Sequence, residues 1–294
     1  MLQPRHREHN LKPTLGFIGA GKVGSTLARL LFKAGYEIKA IYNRTPERAI
    51  ELAETVDSEA VETVGEVANS ADFIFLTISD DAILPIVNIL KEGDLTGKAV
   101  IHTSGASSLD VMAELSKKGA TLGSFHPAFP FAVVESAMGA LSGATFAIEA
   151  DNKFLQKQLQ EIAETLEGKI ILIPDGEKAR YHAALVFISN YTVTLYAIAE
   201  NLMTSFSSDQ IANKSALMTL LRATVDNIDK EGIPDALTGP LVRADLTTLM
   251  KHLNALDSDK VKSAYINLAR LSYPMLEQRG INSGLIEQKL QESE

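Results

Sequence analysis

The first half of the chain alternates short apolar runs with amphipathic stretches. The runs are apolar throughout rather than at every second position, which is typical of strands buried on both faces of a parallel sheet. We predict strands at Leu15–Ile18, Ile38–Tyr42, Asp72–Thr77, Ala99–His102, Thr121–Ser124, Ala144–Glu149 and Lys169–Ile173. Between them, apolar residues recur at helical spacing, as in Val23–Lys33 and Asn152–Leu166. This alternation predicts an α/β fold with a doubly wound, mostly parallel sheet.

The pattern changes after Pro174. From Asp175 to about Phe206 the apolar residues follow helical spacing, and the stretch contains no Pro and no Gly beyond Gly176. Three later stretches also look helical, namely Ala212–Asp229, Arg243–Leu256 and Val261–Leu271. We therefore predict a sheet domain over residues 13–174 and an all-α C-terminal domain over residues 175–294. Residues 1–12, which mix His, Arg, Asn and Pro, are expected to form a flexible lead-in.

Composition narrows the class of protein. The 294 residues suggest two domains, and 28 basic against 37 acidic side chains give a net charge of −9. Such an acidic chain is not typical of nucleic-acid binding. Without cysteine there is no disulfide, thiolate metal site or cysteine nucleophile, and without H-E-x-x-H or clustered carboxylates we expect no metal. We expect a cytoplasmic protein with no membrane partner.

A glycine-rich turn follows the first predicted strand and opens the first helix. It has the pattern G-x-G-x-x-G, formed by Gly19, Ala20, Gly21, Lys22, Val23 and Gly24. In this context the glycines permit a tight turn, close approach of the backbone to a pyrophosphate, and close helix–strand packing. The free N–H groups at the helix start would then face the anion. The turn therefore predicts a dinucleotide site.

The residues after the second strand indicate which dinucleotide binds. An NAD site usually has an acidic residue there, whereas this chain has Asn43, Arg44 and Thr45. A guanidinium suits a 2′-phosphate, and the Asn and Thr side chains can donate to it. We predict NADP(H), the alternative being that Arg44 is a solvated loop cation.

These motifs carry a family resemblance. The segment GFIGAGKVGSTLARLLFKAGYEI, followed by IYNRT, resembles the Rossmann-type half of a superfamily. That superfamily includes 6-phosphogluconate and β-hydroxyacid dehydrogenases, pyrroline-5-carboxylate reductases, prephenate dehydrogenases and deazaflavin-dependent NADP reductases. More narrowly, HTSG, FHPAFPF, KARYHAALVFISNY and ALTGPLVRADLTTLMKHL resemble bacterial Rossmann-like proteins with a C-terminal domain of unknown function. The resemblance implies an NADP-binding domain and a helical domain that also dimerises.

Several polar residues follow predicted strands, where ligands bind in open α/β sheets. Thr77, Ile78 and Ser79 are expected at the nicotinamide end of the cofactor. Ser104 is a candidate for hydrogen bonding to substrate, or else a turn hydroxyl. His126 has the intrinsic pKa of a proton-transfer group, and its segment is similar to the G-x-HP segment of prephenate dehydrogenases, whose His contacts the reacting hydroxyl. The alternative is a buried structural histidine.

The helical half offers further candidates. Lys178 and His182 are four apart and so share one face of a helix. The resemblance to β-hydroxyacid dehydrogenases places a catalytic Lys at Lys178, with His182 where that family has Asn. The alternative is a surface Lys and a His packed between helices. Asn190 is expected to line the cleft or to bond within the core, and Arg243 to bind a substrate carboxylate or pair with Asp245.

Together these residues predict an NADP-dependent oxidoreductase acting at the interdomain cleft. Its substrate would be a small, anionic metabolite, either a hydroxy or keto acid or an imine, with His126, Lys178 or His182 moving the proton. The alternative is a non-catalytic NADP(H)-binding sensor or scaffold. Because the C-terminal helices have large apolar faces, we also expect a homodimer formed through them.

Overall fold

The structure, a computed structural model, describes residues 12–131 and 143–292. The predicted lead-in, residues 1–12, lies outside this range except for Lys12. The chain divides into two compact units, Met1–Asn190 and Tyr191–Glu294. The first contains the sheet and the second is helical.

The first unit is built on one eight-stranded sheet with the order β3-β2-β1-β4-β5-β6-β7-β8. Its strands are β1 Leu15–Ile18, β2 Ile38–Tyr42, β3 Glu59–Ala60, β4 Phe73–Leu76, β5 Ala99–His102, β6 Thr121–Ala128, β7 Thr145–Ala150 and β8 Lys169–Leu172. All neighbouring pairs are parallel except β6 and β7. This confirms the predicted doubly wound, mostly parallel α/β sheet.

β6 is longer than the sequence predicts and runs on to Ala128. The extension is paired with β7 in antiparallel register, from Gly123 opposite Ala150 to Ala128 opposite Thr145. Its hydrogen bonds therefore depend on a strand some twenty residues downstream. The consequence for the site is that His126 is held on a strand and not on a loop.

Helices cover both faces of the sheet, and their apolar sides form two cores. The helices of this unit are α1 Lys22–Lys33, α2 Pro46–Thr55, α3 Val64–Ser70, α4 Asp80–Leu90, α5 Ala113–Ser116, α6 Lys153–Thr165 and α7 Lys178–Ile188, with a 3₁₀ turn at Leu109–Met112. Leu27, Leu52 and Leu159 pack on one face, from α1, α2 and α6. Val67 and Val87 pack on the other, from α3 and α4. Both sides of the strands are therefore covered, as continuous apolar runs require.

Local signals in the sequence account for two helix boundaries. α1 ends at Lys33, and Gly35 follows with φ +80°, a left-handed conformation that glycine adopts without strain. α2 begins with Pro46 at its first position, preceded by Thr45 in extended conformation. Both are residue types typical of these helix positions.

The second unit contains six helices within its described residues. They are α8 Asn190–Thr204, α9 Gln210–Glu231, α10 Leu246–Ala255, α11 Asp259–Leu271, α12 Tyr273–Gln278 and α13 Gly284–Gln291. Leu249, Ile266, Leu276 and Ile286 form a small core from the last four. The units divide after residue 190, so that α7 is counted with the sheet, whereas every described element from Lys178 onward is helical.

Two successive helices, α7 and α8, form the most apolar stretch of the described chain. Lys178–Thr204 is long and apolar enough to cross a bilayer by length and composition alone, a test that core helices of other proteins also pass. α8 has no buried residue, and α9 has only Asn213.

Candidate functional site

The glycine-rich turn between β1 and α1 is tightly constrained. Gly19 has φ +115°, and a Cβ on Gly24 would stand 2.1 Å from the Gly19 carbonyl oxygen. The Thr77 hydroxyl at the end of β4 donates to that same oxygen at 2.6 Å. Two of the glycines are therefore required by packing within the turn.

Gly21 has a different environment, because a Cβ there would meet nothing within 4 Å. It is the N-cap of α1, which has no side-chain cap and no acidic residue in its first turn. The start of α1 therefore has no side-chain cap, and the backbone beside it is bare. That is the cradle a pyrophosphate requires.

A cavity of about 580 Å³ extends from this turn to the end of β2. Asn43 holds its rim, since its Oδ1 accepts from Ala20 N at 3.0 Å and its Nδ2 donates to the Thr45 carbonyl at 2.9 Å. Arg44 lines the cavity, is exposed, and has no ion pair within the described part of the chain. The residues present therefore fit NADP(H): the turn for the pyrophosphate and Arg44 for the extra phosphate.

A second cavity, of about 460 Å³, adjoins the first, since Gly21, Thr77, Ile78 and Ser79 line both. It passes the ends of β4 and β5 and is also lined by Ser104, Gly105 and His182. The Ser104 oxygen accepts from Ser107 N at 2.9 Å and from Ala106 N at 3.2 Å. Ser104 thus forms a turn at the cavity edge, which was one of its two predicted roles.

A third cavity, of about 680 Å³, shares His182 and Phe131 with the second. Its polar groups include both imidazoles, His126 and His182, with Ser189 and Asn190. The rest of its described lining is apolar and consists of Ala128, Phe129, Pro130, Phe131, Leu185, Val186 and Ile188. The three cavities form a continuous series from Arg44 to the two imidazoles.

His126 is held by one hydrogen bond and by contacts with two neighbouring rings. Its Nδ1 lies 2.9 Å from the Tyr181 hydroxyl, and its ring is edge-on to those of Tyr181 and His182. A Cβ on Gly105 would stand 2.9 Å from His126 Nε2 and 2.6 Å from His182 Cδ2. Both imidazoles therefore pack against a bare backbone in the turn after β5.

Lys178 does not line these cavities. Only 2% of the residue is exposed, and its Nζ donates to Ser124 Oγ at 2.5 Å. Ser124 lies opposite His102 on β5 and opposite Glu149 on β7. Because residues paired across strands share a face, the buried ammonium sits over a row of three polar side chains.

The charges in this row shift one another's pKa values. Burial lowers the pKa of Lys178 to about 8, while the Glu149 and Asp80 carboxylates act in the opposite direction. Burial raises the pKa of Glu149, and the Lys178 ammonium opposes that rise. Lys178 thus remains mainly protonated at neutral pH, consistent with charge compensation from Glu149.

The two histidines nearest Lys178 are held neutral. Burial lowers the pKa of His102 to about 3 and that of His126 to about 4, and in both cases the Lys178 ammonium adds to the effect. The Ser108 backbone acts against the lowering of the His102 pKa. Neither ring nitrogen of His102 has a hydrogen bond of normal geometry within the described residues.

Sequence reasoning missed three members of this group, namely Tyr181, Glu149 and His102. Tyr181 precedes His182 in a motif that was singled out, and one helical turn after Lys178 it faces the same way. Glu149 carried a signal too, because a carboxylate in a strand covered on both faces needs a partner.

The remaining predicted residues lie elsewhere. Arg243 is exposed in the second unit. Hydrogen bonds from Thr248 are the main cause of the lowered pKa of Asp245, and the Arg243 charge adds to that lowering. Asp245 caps α10 by accepting from Thr248 N at 3.0 Å. The role of Arg243 toward a substrate stays a prediction.

Comparison with known proteins agrees with this arrangement. Residues 14–105 match the family described as "NADP oxidoreductase coenzyme F420-dependent", and residues 144–272 match a domain of unknown function, DUF2520. The chain is 28% identical over 193 residues to YfjR of Bacillus subtilis, an uncharacterized oxidoreductase. That alignment covers 64% of this chain and 66% of YfjR.

Solved structures show the same fold over most of the chain. A proposed NADP oxidoreductase, BF3122 of Bacteroides fragilis, is 26% identical with a TM-score of 0.72, covering 88% of this chain and 97% of its own. A reductive aminase of Aspergillus terreus, solved with NADPH, is 18% identical with a TM-score of 0.67, covering 90% and 94%. The second likeness concerns the fold alone.

The glycine turn, the Arg44 rim and the matched families agree with one another. The comparisons confirm the oxidoreductase class and the NADP(H) cofactor expected from the sequence, while the substrate is a separate question. The chain is thus similar to an NADP oxidoreductase family over residues 14–105 and to DUF2520 over residues 144–272.

Proposed function

We propose that this protein transfers a hydride between NADP(H) and the carbon of a C=O or C=N group in a small metabolite. The observation that carries the proposal is the series of cavities that begins at Arg44 and ends at His126 and His182. A dinucleotide bound along the first two would bring its reactive end toward the imidazoles.

Each part of the series has a task. The bound nicotinamide supplies or accepts the hydride. Gly19–Gly24 and Asn43 orient the cofactor, and the apolar wall of the third cavity excludes water from the reacting group. His126 moves the proton at the substrate heteroatom: its Nε2–H bond breaks as the heteroatom takes that proton, and its Nδ1 takes the proton of the Tyr181 hydroxyl, which becomes a phenolate.

The anionic substrate expected from the sequence depended largely on Lys178 and Arg243. Lys178 is buried with its ammonium bonded to Ser124, and Arg243 belongs to the other unit. Within the first unit, the reacting group would meet imidazoles and an apolar wall. Both carbonyl and imine reduction are compatible with this setting.

The experiment is to follow NADPH absorbance with a panel of keto acids, neutral ketones and cyclic imines. We expect turnover with at least one class, and a loss of about 100-fold or more in His126→Asn with unchanged NADPH affinity, as for removal of a general acid–base group. Tight NADPH binding without turnover of any compound would favour the sensor hypothesis instead.

A further inference from the structure

The hydrogen bond between His126 and Tyr181 restricts which nitrogen of the imidazole carries a proton. Nδ1 is 2.9 Å from the phenol oxygen, and Nε2 has no hydrogen-bond partner within the described residues. A phenol is a stronger acid than a neutral imidazole, and the imidazole nitrogen is the stronger base. The favoured arrangement is therefore Tyr181 O–H donating to Nδ1, which leaves the ring proton on Nε2.

The helix and the strand fix this pair at two points. Ser124 and His126 are two apart on β6 and so share a face. On α7, Lys178 binds Ser124, and one turn later Tyr181 binds His126. The Lys178 anchor therefore sets the position of Tyr181 relative to the imidazole.

The charges around His126 disfavour its protonated form. Lys178, Tyr181 and His182 face it from α7 and His102 from β5, while its partner on β7 is the uncharged Ala147. Glu149, the carboxylate in the same row, is paired with Ser124 and acts on Lys178. Among these charged groups, Lys178 has the largest effect on His126. Burial and this ammonium lower the pKa of His126 to about 4, which keeps the ring neutral at physiological pH.

We propose that Tyr181 and Lys178 are positioning residues that hold His126 as a neutral imidazole with its Nε2–H directed to the cavity. The site then takes ligands whose reacting group is an uncharged hydrogen-bond acceptor, a carbonyl oxygen or an imine nitrogen, set beside an apolar body. This inference rests on the proposed function for its biological meaning, but it concerns a protonation state that exists without turnover.

Nuclear magnetic resonance of protein carrying ¹⁵N-labelled histidine tests the protonation state directly. The His126 signals are assigned by their loss in His126→Asn, and the two-bond ¹H–¹⁵N pattern distinguishes the tautomers. We expect the Nε2–H pattern at pH 7 and no protonation of His126 above about pH 5, as its low pKa requires. A dominant Nδ1–H form, or an imidazolium at pH 7, would overturn the proposal.

Three variants test the two positioning residues independently, and a fourth serves as a control. Tyr181→Phe removes one oxygen and is expected to increase the Nδ1–H population. Lys178→Met is expected to raise the His126 titration midpoint by about one unit or more, a tenfold change in proton affinity, whereas Lys178→Arg keeps it low. Lys153→Met, on the exposed start of α6, serves as the matched control. If Lys178→Met does not fold, the tautomer population in Tyr181→Phe remains the test. An unchanged population in that variant would contradict the proposal.

The ligand class is tested on the NADP⁺-loaded protein with two probes of similar size, δ-valerolactam and pentanoate. We expect the lactam to shift the His126 Nε2–H signal more than pentanoate does at the same concentration. Equal shifts, or a larger one with pentanoate, would overturn the ligand class. Because neither probe is reduced, this result is independent of whether any hydride transfer is found.

Discussion

We propose that Arg44 is the side chain that distinguishes NADP(H) from NAD(H). It lines the cavity at the end of β2, while its neighbour Asn43 uses both ends of its amide within the turn. Arg44→Ala should therefore weaken NADPH binding by about 10- to 100-fold, the equivalent of one or two charge-assisted hydrogen bonds. Fluorescence titration with each cofactor measures this.

NADH provides the internal control for that substitution. Without a 2′-phosphate it gains nothing from the guanidinium, so its affinity should be the same in wild type and Arg44→Ala. Equal affinity of the wild-type protein for NADPH and NADH would contradict the assignment.

At the residue scale, the sequence is most informative where neighbours in the chain act together. The glycine turn and Asn43-Arg44-Thr45 are local motifs, and the structure brings residues of both to the first cavity. The row of His102, Ser124 and Glu149 depends on the register of three strands, which spacing along the chain does not encode. The burial of Lys178 depends on that row and could not be predicted either.

The turn between β1 and α1 allows a matched pair of substitutions at the scale of an element. Gly24→Ala places a methyl group against the Gly19 carbonyl and should lower the free energy of unfolding by ~1–3 kcal/mol, as overpacking does. Gly21→Ala meets open space and has an extended backbone, so the fold should keep its stability. Thermal unfolding of the two variants measures the difference.

In folded protein, Gly21→Ala should lower the NADPH affinity more than Gly24→Ala does, which is the reverse of their order in loss of stability. A methyl at Gly21 occupies the space through which the pyrophosphate approaches, so affinity should fall although stability does not. A Gly21→Ala variant with wild-type affinity would show that the phosphates bind elsewhere.

The sequence predicts the elements of the first unit better than their connections. Six of the seven predicted strands begin and end where expected or within one residue of it, because continuous apolar runs mark buried strands. The short β3 and the extension of β6 escape detection, since both are specified by pairing partners instead of by their own composition. α7 is predicted as a helix. Its attachment to the sheet depends on Lys178 and Tyr181, and the hydrophobic pattern of the sequence does not predict where these two side chains point.

At the scale of the molecule, the apolar surface of the second unit requires an explanation. Ile211, Leu220 and Val225 on α9 and Val193 on α8 are all more than half exposed. Single exposed apolar side chains are common, but two helices with almost no buried residue are not. We propose that a second copy of the chain covers them, as the homodimer expected from the sequence would do.

Light scattering tests this at micromolar concentration, with an expected mass of twice 31.8 kDa. Leu220→Glu should shift the population toward monomer, because a carboxylate would be buried without a partner. Phe154→Glu is the matched control, since Phe154 is as exposed as Leu220 but lies on α6 of the sheet unit. A wild-type protein of single-chain mass would contradict the proposal.

Under the proposed function, the third cavity has separate regions for chemistry and for shape. Its imidazoles come from β6 and the start of α7, whereas Phe129, Phe131 and Val186 supply the wall. Exchanging wall residues alters the accommodated ligand without disturbing the proton-bearing ring. Natural variation and laboratory evolution can therefore diversify the compounds accepted by this scaffold while the reaction itself is conserved.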